Sequence, residues 1–359
     1  MLLAAACLCL SNLPPLAYKA TGSSVADNFG DLVGDRLGIS VAVGDTLSAA
    51  SAVGGQYVRV YGADGTNLYQ KDITIGGGQW ASLALSGDLL VVGNCKDEGT
   101  DYGAAYVLRA ENGTTLSKLV QADGASNDYY GDRVAIDAAA DTIVVAAAYD
   151  DDVGTQSGSI YVYDASPPFA LRFKLANPGE DGDGAGDTFG SSIGVSADAI
   201  VTGSYQDDEG DGEAGAVYVL ELLDGQVRHK LLGEAANDYF GVAVAIHGTT
   251  LVVGATRDGA SHGNKLGTAY VFNTISGAKL KTLASSDSHD EDRFGRAVGL
   301  GRPCSHTFLA FHNFLAFTLF LHAFAGCHQR DAHRRRRDVA RHDEPGRGRG
   351  HQCRRRVPL

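Results

Sequence analysis

The stretch 240–284 reads FGVAVAIHGTTLVVGATRDGASHGNKLGTAYVFNTISGAKLKTLA. It contains four short apolar runs, at 242–246, 250–255, 268–272 and 279–283. Each is rich in Val, Ala, Tyr or Leu and is bounded by Gly, Asn, Asp or Ser, the pattern of strands joined by tight turns. None has the length or the 3.6-residue periodicity of a helix. The stretch therefore predicts a four-stranded antiparallel meander.

The same text recurs along the chain. An aromatic-Gly step opens each copy: Tyr130-Gly131, Phe189-Gly190, Phe240-Gly241 and Phe294-Gly295. Leu37-Gly38 opens an eroded first copy, and Trp80-Ala81 a second. The openings are 43, 50, 59, 51 and 54 residues apart. A second landmark follows as VVGN at 91–94, VVAA at 144–147, VTGS at 201–204 and VVGA at 252–255. The third is a Gly-led Tyr-Val strand: GAAYVL from Gly103, GSIYVY from Gly158, GAVYVL from Gly215 and GTAYVF from Gly267. Four strands per unit and a period near fifty predict an all-β fold, a β-propeller of four-stranded antiparallel blades. Five blades open at Leu37, Trp80, Tyr130, Phe189 and Phe240, and a sixth begins at Phe294.

These landmarks resemble the FG-GAP repeat, the unit of the integrin alpha-subunit propeller and of many surface proteins. The likeness covers roughly residues 25–300 and is greater to the short-turn variant of the repeat. Phe240-Gly241 is the FG, and Gly254-Ala255-Thr256 stands where GAP would be. The resemblance implies a propeller, usually of seven blades, at a cell surface or secreted, that works in binding or adhesion. The integrin calcium loops lie between the FG strand and the GAP strand. Here that place holds short turns such as His247-Gly248-Thr249, so those metal sites do not carry over.

The 359 residues include 47 Gly and only 8 Pro, which frequent tight turns explain. Net charge is −13, but residues 301–359 hold 12 Arg, no Lys and 4 acidic groups. Residues 1–300 therefore carry −21. An acidic body of that size repels nucleic acid and anionic membrane. Of six Cys only Cys95 falls within the repeats, so no disulfide framework staples them. Cys95 reads as a partly buried, unpaired side chain.

Both chain ends carry two readings each. Residues 1–20 begin with the apolar run LLAAACLCL, which fits the core of a signal peptide but lacks a basic n-region. The alternative is a start cut inside an earlier repeat. The propeller is placed at 21–300. At Leu300 the sixth repeat breaks off before its expected second strand, and 301–359 is apolar and then Arg-rich. The segment 308–325 is long enough for a transmembrane helix with a basic cytoplasmic tail. Arg without Lys and a break inside a blade fit a gene-model artefact instead.

The loops before the Tyr-Val strands are acidic. Asp150, Asp151 and Asp152 form one set, and Asp207, Asp208, Glu209 and Asp211 another. Carboxylates clustered in a Gly-rich loop can cage calcium, while the competing reading has them capping their own turns in solvent. Asn112-Gly113-Thr114 is an N-glycosylation sequon and also a favoured hairpin turn. Gly190-Ser191-Ser192-Ile193-Gly194 fits G-x-S-x-G, but that motif needs a strand-to-helix elbow, and here it opens a strand. No catalytic set emerges. The chain reads as a non-enzymatic module whose partner is a protein or glycan. The alternatives are a polysaccharide lyase or hydrolase on the same scaffold and a membrane-anchored receptor.

Overall fold

The computed structural model describes residues 37–52, 56–73, 81–97, 102–179, 186–209, 212–258, 266–285, 292–300 and 308–311. Residues 1–20, Trp80, Asp211 and the Arg-rich tail lie outside them. No helix occurs among the described residues.

Five four-stranded antiparallel sheets follow one another along the chain, each built from consecutive strands. Blade one is β1 (Leu37–Val43) to β4 (Asn67–Asp72), with β2 (Leu47–Ala52) and β3 (Tyr57–Gly62) between. Blade two is β5 (Ala81–Ser86), β6 (Leu89–Asn94), β7 (Ala104–Arg109) and β8 (Thr115–Leu119). Blade three is β9 (Arg133–Asp137), β10 (Thr142–Ala147), β11 (Ser159–Asp164) and β12 (Leu171–Ala176). Blade four is β13 (Ser192–Ser196), β14 (Ala199–Ser204), β15 (Ala216–Leu220) and β16 (Val227–Leu232). Blade five is β17 (Phe240–His247), β18 (Thr250–Ala255), β19 (Thr268–Asn273) and β20 (Lys279–Leu283). The first strands of consecutive blades lie against one another, β1 to β5, β5 to β9, β9 to β13 and β13 to β17. This is the stacking of propeller blades.

The four runs of the 240–284 stretch are the four strands of blade five, and the first extends back to Phe240 through a bulge before Ala243. The second strands β6, β10 and β14 are buried along their whole length. They are sandwiched by sheets on both faces, so they read as continuous apolar runs rather than alternating ones. The fourth strands lie outermost and alternate or turn outward, as in β4 and β20.

The sixth repeat differs from expectation. Its first strand, β21 (Ala297–Leu300), follows β17 as a further blade would. Its partner is β22 (Phe308–Phe311), antiparallel, drawn from the apolar segment that replaces the missing repeat text. The start of 308–325 is thus a strand, and 312–325 lies outside the described residues. No helix among the described residues is long and apolar enough to cross a membrane.

Candidate binding face

In an up-and-down blade, the loop between strands two and three emerges on the same face as the link to the next blade. Both are organised by the aromatic-Gly step. Tyr129 C=O accepts from Asp132 N–H (3.0 Å), closing a tight turn with Gly131 at φ 88°. The same turn recurs at Thr188–Ser191, Tyr239–Val242 and Arg293–Arg296, with Gly190, Gly241 and Gly295 at φ 88–97°. Glycine alone enters this region without strain.

The aromatic side chain is then driven inward. Tyr130, Phe189, Phe240 and Phe294 are at most 3% exposed. Phe189 packs among Ile160 and Val162 of blade three and Tyr218 and Leu220 of blade four, so it wedges the two sheets together. It meets the Tyr218 ring edge-on at 5.2 Å, as Tyr130 meets Tyr161 at 5.0 Å. The main chain of the wedge closes on the previous blade. Phe240 N–H donates to Ala214 C=O (3.0 Å), and a Cβ on Gly215 would lie 2.2 Å from the Phe240 carbonyl oxygen. Gly103, Gly158 and Gly267 stand under Tyr130, Phe189 and Phe294 in the same way. Leu37-Gly38 keeps the positive φ of the step in blade one.

In blades two to five the strand-two/strand-three loop carries a buried aspartate near its start: Asp97, Asp150, Asp207 and Asp258 are 5, 2, 1 and 7% exposed. This corrects the expectation of solvated loop carboxylates for Asp150 and Asp207, whereas Asp151, Asp152, Asp208 and Glu209 are exposed. The tyrosine of the following Tyr-Val strand donates to each. Tyr106 reaches Asp97 at 2.6 Å, Tyr161 reaches Asp150 at 3.2 Å, Tyr218 reaches Asp207 at 3.0 Å, and Tyr270 reaches Asp258. A lysine opposite that tyrosine on strand four completes the set. Lys118 pairs with Asp97 at 2.7 Å, Lys174 with Asp150 at 3.0 Å and Lys230 with Asp207 at 3.0 Å. Each ammonium also lies 5.0–5.6 Å from its tyrosine ring centre.

Burial would lower the Lys174 ammonium, but its bonds to Asp152, Tyr161, Asp123 and Asp150 outweigh this and hold it above the ordinary range. Lys230 is raised in the same way against burial by Glu209, Tyr218 and Asp207. Burial first, and then Asp97, pushes the Tyr106 phenol up to about 12. In blade five Thr282 stands opposite Tyr270, and Lys279 reaches over that ring at 5.2 Å while pairing with Glu234. In blade one Arg59 replaces the tyrosine and bonds Gln70 opposite (3.2 Å).

The loop carboxylates beyond the first divide. Asp150 and Asp207 also accept from the backbone N–H of Asp152 and Glu209, and Asp151 from that of Gln156, which is the turn-capping arrangement. Asp152 and Glu209 join the lysines Lys174 and Lys230. Asp208 is exposed. Among the described residues no three His, Cys, Asp or Glu side chains converge as a metal site would require. Asn112 is exposed in the β7–β8 turn, where its Oδ1 accepts from Thr114 N–H (3.0 Å) beside Gly113 at φ 70°. Ser192 lies within β13 and donates to Gly241 C=O (2.6 Å), a joint contact. Cys95 is buried, and burial pushes its thiol up to about 12.

A feature absent from the sequence reading crosses this face. Tyr129 and Tyr149 meet edge-on at 5.4 Å, and Tyr205 and Tyr239 do the same at 5.4 Å. The Lys96 ammonium caps one end, 5.5 Å from the Tyr129 ring. The Arg257 guanidinium stacks 3.9 Å from the Tyr239 ring at the other. All six side chains are half-buried. Burial first, then the phenols of Tyr149 and Tyr239, hold the Tyr205 phenol up. The available signal was Asn-Asp-Tyr-aromatic-Gly, which occurs at 127–131 and again at 237–241. It places Tyr129 and Tyr239 in the same left-handed conformation, at φ 55° and 56°.

The family model described as FG-GAP repeat matches this chain at residues 114–163, 180–220 and 233–272. No curated protein matches it. The chain carries FG-GAP repeats, and they build the blades of a β-propeller.

Proposed function

We propose that this propeller is a non-enzymatic binding module, exposed at a cell surface or secreted, which recognises a protein or glycan through the loops of one face. FG-GAP repeats are often found in adhesion and binding proteins, which supports the reading. The observation that carries it is the half-exposed set of tyrosines, held by main-chain turns at 129–132, 147–150, 204–207 and 239–242. Tyrosine and arginine supply large, rigid contact area, and rigid loops lose little entropy on binding. The ionisable groups of the face favour binding over catalysis. They repeat one Asp–Tyr–Lys arrangement from blade to blade instead of bringing unlike acids and bases to one point. Calcium is not needed to hold these loops in this reading: Lys118, Lys174 and Lys230 already supply positive charge to Asp97, Asp150 and Asp207.

The experiment is a screen of the labelled chain on arrays of glycans and of extracellular protein fragments. Saturable binding should be lost on Tyr149→Ala and Tyr205→Ala. It should survive Glu111→Ala in the β7–β8 turn of the opposite face. Binding indifferent to the face variants, or turnover of a bound glycan, would overturn the reading.

A further inference from the structure

The row has a chemistry that narrows its ligand. Two edge-on phenol pairs lie on this face, Tyr129–Tyr149 with Lys96 of the blade-two loop over Tyr129 and Tyr205–Tyr239 with Arg257 of the blade-five loop over Tyr239. Among the described residues the hydroxyls of Tyr129, Tyr149 and Tyr205 make no hydrogen bond, whereas Tyr239 donates to Glu213 (3.2 Å). The Arg257 guanidinium has no carboxylate within ion-pairing distance among the described residues, and its contact is the Tyr239 ring. Arg133, which follows the Tyr129–Asp132 turn, pairs with buried Asp132 at 2.9 Å. The site therefore offers half-buried phenol rings set edge-on in pairs, phenols that both donate and accept, and guanidinium donors.

Three polymer classes could use aromatic faces in a row. Polyanions, nucleic acids included, meet a body of net charge −21 over residues 1–300, which opposes their approach. A proline-rich segment offers carbonyl acceptors but no N–H where proline stands, so it leaves the accepting capacity of the phenols unused. A neutral sugar chain has C–H faces for the rings and hydroxyls that both donate and accept, and it is indifferent to the acidic body. We infer that Tyr129, Tyr149, Tyr205 and Tyr239, with Arg257, form a subsite for a neutral polysaccharide with equatorial, flat-faced rings, such as a β-linked glucan. Sugar rings lie against the exposed parts of the phenol rings, and their hydroxyls exchange hydrogen bonds with the phenols and the guanidinium. This inference rests on the binding-module reading and assigns its ligand class.

The test is titration calorimetry of the full chain with cellohexaose, in chelator, with polygalacturonate and a proline decamer as comparison ligands. Cellohexaose should bind saturably and more tightly than either comparison. Tyr149→Ala and Tyr205→Ala should each weaken it about tenfold, the scale of an aromatic anchor truncated to alanine. Tyr205→Phe, which keeps the ring and the fold, should cost less than Tyr205→Ala. Arg257→Gln should weaken it without affecting melting. Absence of saturable cellohexaose binding by the unaltered chain, or binding unchanged in the alanine variants, would overturn the inference. A proline decamer that binds through these tyrosines in place of cellohexaose would also overturn it while leaving the module reading standing. If no array ligand depends on this face, both fall.

Discussion

Lys230→Met is the sharpest probe of how the loops are held. The Lys230 side chain is 17% exposed, and its carboxylate partner Asp207 is 0% exposed at 3.0 Å. Methionine matches the length and apolar stem of lysine but removes the charge, so the Asp207 carboxylate is left with the Tyr218 hydroxyl and a backbone N–H. Removing one partner of a buried pair costs about 3–5 kcal/mol, and the residual exposure of Lys230 places this case near the low end, about 3 kcal/mol. For a domain of this size that is roughly a 6 °C fall in melting temperature at pH 7. The double variant identifies the cause. Asp207→Asn added to Lys230→Met should recover part of the loss, because the pair is coupled. Calorimetric melting of the parent and both variants at pH 7 measures the two quantities. A shift under about 1 °C for Lys230→Met, or no recovery in the double variant, would refute the assignment of this ion pair as a structural clasp.

Further expectations follow from the same contacts. Lys174 and Lys230 have folded pKa values raised above the unfolded lysine value of about 10.4, so the stability they confer is complete below that value. It is lost as pH rises through the folded values, and alkaline melting curves should fall steeply above about pH 10.5. Burial, and then Asp258, raises the Asp238 carboxyl to about 6, so its contribution to stability weakens as pH rises through that value. Asp238→Asn keeps the acceptor for Ala235 N–H and should gain melting temperature at pH 8 relative to pH 5; equal gains at both would contradict this. Gly215→Ala forces a Cβ to 2.2 Å from the Phe240 carbonyl oxygen at φ 84° and should cost several degrees, whereas Gly212→Ala meets nothing within 4 Å and should be near neutral. Calcium added to chelated protein should move melting by less than about 1 °C, and a larger rise would show that the loops bind the ion.

The strands were legible because local pattern and tertiary environment agree. VVGN, VTGS and VVGA become fully buried second strands, and FG becomes a glycine-dependent turn with a buried ring. The acidic loops were only half legible. Their abundance of Asp and Glu suggests solvent or metal, yet burial of the first Asp depends on a tyrosine 9 to 12 residues later and a lysine 12 or 13 beyond that. Those spacings were available, but each residue type is common on surfaces, and only the register of β7–β8, β11–β12 and β15–β16 sets lysine opposite tyrosine. The tyrosine row was illegible for a different reason. Tyr129 and Tyr149 come from a link and a loop, and no strand periodicity relates them. The β21–β22 pairing was likewise hidden, since 308–311 carries none of the repeat's landmarks.

The joint between blades joins main chain to main chain: a glycine such as Gly203 in one repeat faces the carbonyl of Gly241 in the next, and Gly254 faces that of Gly295. Because the repeat's own glycines and wedge ring make the seam, a fifty-residue unit that is duplicated or exchanged carries its joint with it. The rim positions then vary independently of assembly. A lineage can alter what this face grips through changes such as Thr188 for tyrosine at the turn position, while the architecture is inherited intact.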